Sequence, residues 1–110
     1  MPESSDETSF DCRVERDRGR ISVGLAGEID AYTSERLRAA FCGLDEVAGR
    51  HVVVDMSDVR FVDSSGLAAL VGALTKVKEQ GGVITLASPT PQLVKLFEIT
   101  GVSRLFPVSD

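Results

Sequence analysis

From residue 20 onward, strand-like and helical patterns alternate along this chain, and that alternation restricts its fold more than any other feature. Ile21, Val23, Leu25, Gly27 and Ile29 share one face of an extended run whose other face carries Ser22, Gly24, Ala26 and Glu28, the period of two that marks a strand. Leu37, Ala40, Phe41, Leu44 and Val47 then recur at helical spacing. Thr33 or Ser34 can cap that helix, Glu35 suits its first turn and Gly49 is placed to stop it. His51 to Met56 is a short apolar run rich in β-branched residues, as expected of a strand buried on both faces. Ser57–Val62 reads as a connection. The next helix runs from Ser64 to about Gln80, with a stripe of Leu67, Leu70, Val71, Leu74 and Val77, lysines in its C-terminal half and Gly81-Gly82 at its end.

Val83–Ala87 is a further strand, and Thr90-Pro91 supplies a cap and a proline at the first helical position. The helix they open carries Leu93, Leu96 and Phe97, and Gly101 closes it. Leu105–Val108 can add a short edge strand, where Pro107 is tolerated. Strand–helix alternation implies right-handed crossovers and a largely parallel sheet. Upstream, Phe10, Cys12 and Val14 alternate with charged residues, and Asp17-Arg18-Gly19-Arg20 reads as a turn, so the domain opens on an antiparallel hairpin. The expected fold is a single α/β domain: a mixed, mostly parallel sheet, an N-terminal antiparallel hairpin and about three to four packed helices.

The chain has 110 residues and is 43% hydrophobic, enough for one domain with its own core. We place that domain at residues 9–110 and read residues 1–8, acidic and polar with no apolar segment, as a disordered tail. A net charge of −5 without a basic cluster argues against nucleic acid and anionic membrane as partners. No apolar stretch is long enough to span a bilayer, and the expected location is the cytoplasm. Cys12 and Cys42 read as buried thiols rather than a disulfide, with a redox role left open. His51 is the one histidine, too little for a metal site of the usual kind.

The run Asp63-Ser64-Ser65-Gly66 concentrates the chemistry. A hydroxyl at a helix N-terminus lies among free N–H groups and a dipole that favours negative charge. As a catalytic nucleophile Ser64 would need a base, and His51 lies at the other end of its strand. Neither a Gly-x-Ser-x-Gly elbow nor a phosphate-binding Gly-x-x-x-x-Gly-Lys loop is present. Gly24 and Gly27 lie inside a strand, where a bulge or close backbone packing accounts for them. Asp55, read as a strand-end carboxylate, leaves a phospho-aspartate receiver as a weaker alternative, although the first strand leads into a hairpin where a receiver carries its acidic pair, and no lysine follows Glu98. The remaining readings make Ser64 a cap residue or a substrate.

The segment Val54-Asp55-Met56-Ser57-Asp58-Val59-Arg60-Phe61-Val62-Asp63-Ser64-Ser65-Gly66-Leu67 resembles the signature of the STAS domain, and within it the bacterial anti-sigma factor antagonists. Gly27-Glu28-Ile29-Asp30, Gly81-Gly82 with the strand after it, and the stretch Pro91 to Gly101 extend the likeness across residues 10–108. The resemblance implies a STAS-like fold and a regulator that is not an enzyme. The serine after the aspartate, here Ser64, would be phosphorylated by a cognate anti-sigma factor acting as a serine kinase. Unphosphorylated antagonist would bind that factor and free the sigma factor for a stress response, and a PP2C-type phosphatase would restore it. ATP and magnesium would belong to the kinase, leaving this chain without a cofactor. Asp30, Asp63, Ser64, Ser65 and Gly66 are the implied partner-binding residues. Ser65 is the competing acceptor, expected to turn partly toward the core. Asp63 either orients the Ser64 hydroxyl or caps the helix, Asp30 either faces the partner or caps the helix that starts near Thr33, and Gly66 is read as an opening for close approach. The alternative class is a STAS interaction module that works without phosphorylation, as a scaffold or transporter accessory subunit. A homodimer is compatible with either.

Overall fold

In the computed structural model, residues 10–109 are described; the expected tail at residues 1–8 lies outside them. Strands β1 (Phe10–Asp17) and β2 (Arg20–Ile29) form the antiparallel hairpin, with Phe10 opposite Gly27 and Asp17 opposite Arg20. Helix α1 (Ser34–Cys42), strand β3 (His51–Val62), helix α2 (Ser64–Glu79), strand β4 (Val83–Ala87), helices α3 (Pro91–Thr100) and α4 (Val102–Leu105) and strand β5 (Val108–Ser109) follow. The sheet order is β1-β2-β3-β4-β5, and every pairing after the hairpin is parallel. The fold expected from the alternation is the fold found.

Four local expectations are corrected. First, α1 stops at Cys42 and not near Gly49. Leu44 and Val47 are still buried, but in a loop of short turns: Leu44 N–H donates to the Phe41 carbonyl and Arg50 N–H to the Val47 carbonyl. Turns three residues long keep the same inward spacing that a helix would show.

Second, β3 continues through Ser57–Val62, which is strand and not connection. Gly24 faces Asp55 and Ala26 faces Asp58; Gly27 faces Val59 and Glu28 faces Phe61. At each step β3 spends one residue more than β2, which is a bulge. The buried positions therefore run Val52, Val54, Met56, Val59, Val62, and the period of two is lost after Met56. Gly27, at φ +96° beside the second bulge, adopts a backbone conformation that a side chain disfavours.

Third, the strand is not buried on both faces. The helices cover one face, where Ile21, Val23, Leu25, Val52, Val54, Ile84 and Leu86 are buried. On the other face Ser22, His51, Val53 and Thr85 are half-buried, and Asp55 and Val83 are exposed. Fourth, the chain turns into α4 after Gly101, whose φ of +85° ends α3, so the last strand begins at Val108 rather than Leu105. Phe106 between them is 2% exposed and anchors the turn.

Helix α2 is the central helix, packed against α1 and against β2, β3 and β4. Its inner face comprises Gly66, Ala69, Leu70, Ala73, Leu74 and Val77, while Leu67 and Val71 lie partly buried at the margin. Gly72 is exposed, and a Cβ built there meets nothing within 4 Å. Glycine in a helix interior costs about 1 kcal/mol relative to alanine. Gly72→Ala should therefore stabilise the domain by about that amount, raising Tm by roughly 4–8 °C for a domain of this size. A thermal melt of the variant checks this.

Candidate functional site

Strands β2 and β3 run parallel, so their C-terminal ends emerge side by side, Ile29 opposite Val62. The chain leaves β2 through Asp30 and leaves β3 through Asp63. Two contacts lock these exits together. Asp63 N–H donates to the Ile29 carbonyl at 3.1 Å, and Gly66 sits so close to the same carbonyl that an added Cβ would lie 1.9 Å from its oxygen. The C-terminal edge of parallel strands is where α/β folds commonly present ligands and partners.

Asp63 is the N-cap of α2. Its backbone is extended (φ −94°, ψ −177°) and its Oδ1 accepts the Gly66 N–H at 2.7 Å. Of the two roles open to Asp63, capping is the one the geometry shows. Its removal by Asp63→Ala should cost about 1 kcal/mol of unfolding free energy. Asp63→Asn retains an oxygen acceptor and should cost much less; urea titration of both variants checks the pair.

Ser64 is the first residue of α2 and is exposed. No side chain among the described residues accepts its N–H or that of Ser65. These are donors that every helix start leaves open, and they face solvent beside the Ser64 hydroxyl. Ser65 is exposed as well, which corrects the expectation that it turns toward the core. Gly66 is corrected too. It is buried, and what approaches its backbone is the chain's own Ile29, not a partner.

Asp30 is half-buried and organises the turn into α1. Its Oδ1 accepts the Tyr32 and Thr33 N–H groups, both at 3.0 Å, and lies 3.1 Å from Thr33 Oγ1. Thr33 Oγ1 in turn accepts the Asp30 N–H and donates to the Glu28 carbonyl, each at 2.9 Å. Thr33 spends its hydroxyl on this closed network and makes no side-chain cap bond to α1. Asp30 thus has a structural function, holding the turn that stands beside Ser64.

Two aromatic residues at this edge escaped the sequence reading. Tyr32, the one tyrosine in the chain, is 93% exposed, and Phe61, opposite Glu28, is 50% exposed. Exposed aromatics at a strand edge are costly unless something covers them. The available signal was an isolated aromatic two residues after Asp30, and Phe61 was hidden by its assignment to a connection.

The distant candidates stay distant. His51 Nε2 lies 2.7 Å from Thr85 Oγ1 at the start of β3, roughly 40 Å of strand away from Ser64 at about 3.3 Å per residue. Asp55 lies within β3 rather than at its end, and its Oδ1 accepts the Ser57 N–H at 2.9 Å. That removes the strand-end carboxylate on which the receiver alternative rested. Cys12 is half-buried and Cys42 exposed, both as free thiols, so the expectation of burial fails for Cys42. Burial, and secondarily the charge of Asp11, push the Cys12 thiol above its ordinary pKa. Among the described residues no three potential metal ligands cluster, and no helix is long and apolar enough to cross a membrane.

A family model for the STAS domain matches residues 12–110. The chain belongs to the STAS domain family. It is 36% identical over 96 residues to the anti-sigma-B factor antagonist of Bacillus subtilis, covering 87% of each chain. A crystal structure of an anti-sigma factor antagonist from Mycobacterium paratuberculosis superposes with a TM-score of 0.74 at 29% identity, over 97% of this chain and 90% of that one. The Bacillus cell fate determinant SpoIIAA in its phosphorylated form shares the fold at a TM-score of 0.67 and 21% identity, over 91% and 92% of the two chains. Within the STAS frame, the Asp63–Gly66 run therefore sits at the same edge as Asp30, Tyr32 and Phe61.

Proposed function

We propose that this chain is an anti-sigma factor antagonist switched by phosphorylation at Ser64. Unphosphorylated, it binds an anti-sigma factor that is also a serine kinase, and the sigma factor is freed. Transfer of phosphate to Ser64 releases the antagonist, and a PP2C-type phosphatase returns it to the binding state. The observation that carries this reading is the Ser64 hydroxyl itself, exposed at the first position of α2 beside open N–H groups. Similarity to proteins named as such antagonists supports the partner class. Tyr32 and Phe61 are exposed aromatics near the same end of the sheet, and Asp30 fixes the turn that presents Tyr32.

The test is phosphate transfer from ATP by a cognate anti-sigma factor kinase, using wild type, Ser64→Ala and Ser65→Ala. Transfer to wild type and Ser65→Ala but not to Ser64→Ala is the expected result. Transfer to Ser64→Ala that disappears in Ser65→Ala would move the acceptor by one residue. Binding of the kinase without any transfer would instead identify a STAS interaction module that works unmodified.

A further inference from the structure

We infer that the cleft between α1 and α2 binds a small amphipathic carboxylate, one carboxyl group on a short aromatic or aliphatic body. The cleft lies on the C-terminal halves of the two helices, away from Ser64, and its reading does not depend on the switch. Its volume is about 280 Å³, roughly nine waters at about 30 Å³ each, the size of a single ring with a short tail. The floor is apolar, made of Phe41, Ala73 and Val77, all buried. The rim carries Arg38, Lys76 and Gln80, all exposed, and no acidic side chain lines the cleft.

In a chain of net charge −5, two cations over an apolar floor with no acid among them are an exception. Among the described residues neither Arg38 nor Lys76 makes an ion pair, a side-chain hydrogen bond or a ring contact. Several other basic residues are occupied: Arg16 donates to the Asp45 carbonyl, Arg36 to the Phe10 carbonyl, and Lys78 lies over the Phe106 ring. Helix C-termini ordinarily repel anions. Here three carbonyls in the last turn of α2 are already taken, since Gln80 N–H donates to Lys76 and Val77 and Gly81 N–H to Lys78, while Gly43 N–H takes the Ala39 carbonyl of α1. The full charges of Arg38 and Lys76 then dominate the rim. Gly72 leaves the mouth open, because nothing lies within 4 Å of a Cβ built there.

The test is a two-dimensional ¹⁵N–¹H NMR titration of the full chain with 4-phenylbutyrate and, separately, with uncharged 4-phenylbutanol. The expected result is saturable shifts centred on residues 38–43 and 72–80, with the alcohol at least fivefold weaker. Arg38→Gln with Lys76→Gln should weaken the carboxylate at least fivefold. Gly72→Leu, whose Cβ meets nothing within 4 Å, should occlude the mouth and abolish saturation while its spectrum stays that of a folded domain. Shifts that fail to saturate or centre elsewhere, equal binding of acid and alcohol, or full binding by Gly72→Leu would each overturn the assignment.

Discussion

Gly66→Ala should destabilise the domain by about 3 kcal/mol or more, the largest effect of any single methyl group added to this chain. An ideal Cβ at Gly66 would lie 1.9 Å from the Ile29 carbonyl oxygen and 2.4 Å from its carbon. Both obstacles are backbone, so no rotamer change relieves them. The first turn of α2 would have to lift off the end of β2. Lifting it strains the Gly66 N–H cap bond to Asp63 and breaks the Asp63 N–H bond to Ile29, which secures one exit of the sheet to the other. Domains of this kind hold about 5–15 kcal/mol in total, so such a loss brings the variant close to half-unfolded under mild stress. Urea denaturation measures it as a lower midpoint at unchanged slope. A loss below about 1 kcal/mol would show that the helix and the strand end separate freely. Gly72→Ala, six residues further along the same helix, has the opposite expected sign. The contrast tests the geometry directly, because helix propensity favours alanine at both positions.

Phosphorylation of Ser64 should weaken the complex with the anti-sigma factor at least tenfold and leave the helix content of the free protein unchanged. The phosphate brings roughly −1.5 to −2 charges at pH 7. At the start of α2 that charge meets the helix dipole and the open N–H groups, worth about 0.3–1 kcal/mol in its favour. The fold therefore has no reason to yield. Across an interface the same charge facing a carboxylate ~4 Å away costs about 4 kcal/mol per unit pair at an effective dielectric of ~20, and each ~1.4 kcal/mol is a factor of ten in affinity. Calorimetric titration of the phosphorylated and unmodified protein against the partner measures the first quantity, and far-ultraviolet circular dichroism the second. Equal affinities would remove the switch; a loss of helical signal would mean that the phosphate acts on the fold instead of the contact.

The legible parts of the site were those determined by local chemistry. Asp63 before a helical stripe reads as a cap in any fold, and it is one. Thr90-Pro91 behaves the same way, with the Thr90 hydroxyl accepting the Leu93 N–H. Two other misreadings, at α1 and β3, share a cause: the pattern of buried residues was taken for the secondary structure that usually produces it. Leu44 and Val47 keep helical spacing in a loop, and Val59 and Val62 leave strand spacing in a strand, because turns and bulges change the number of residues per inward position.

Sequence alone determined the order of elements, the hairpin, the parallel sheet and the place of Ser64 at a helix start, because each follows from periodicity and capping within a few residues. The tertiary structure decided what those residues are for. Gly66 faces Ile29 rather than a partner, Asp30 is spent on its own turn, and Phe61 comes to lie opposite Glu28 near the end of the sheet that leads to Ser64. The placements of Gly66 and Phe61 are not local. Each depends on the register between β2 and β3, set by two bulges and by the packing of α2 on the strand ends, and a register between strands more than twenty residues apart leaves no periodic trace in either one.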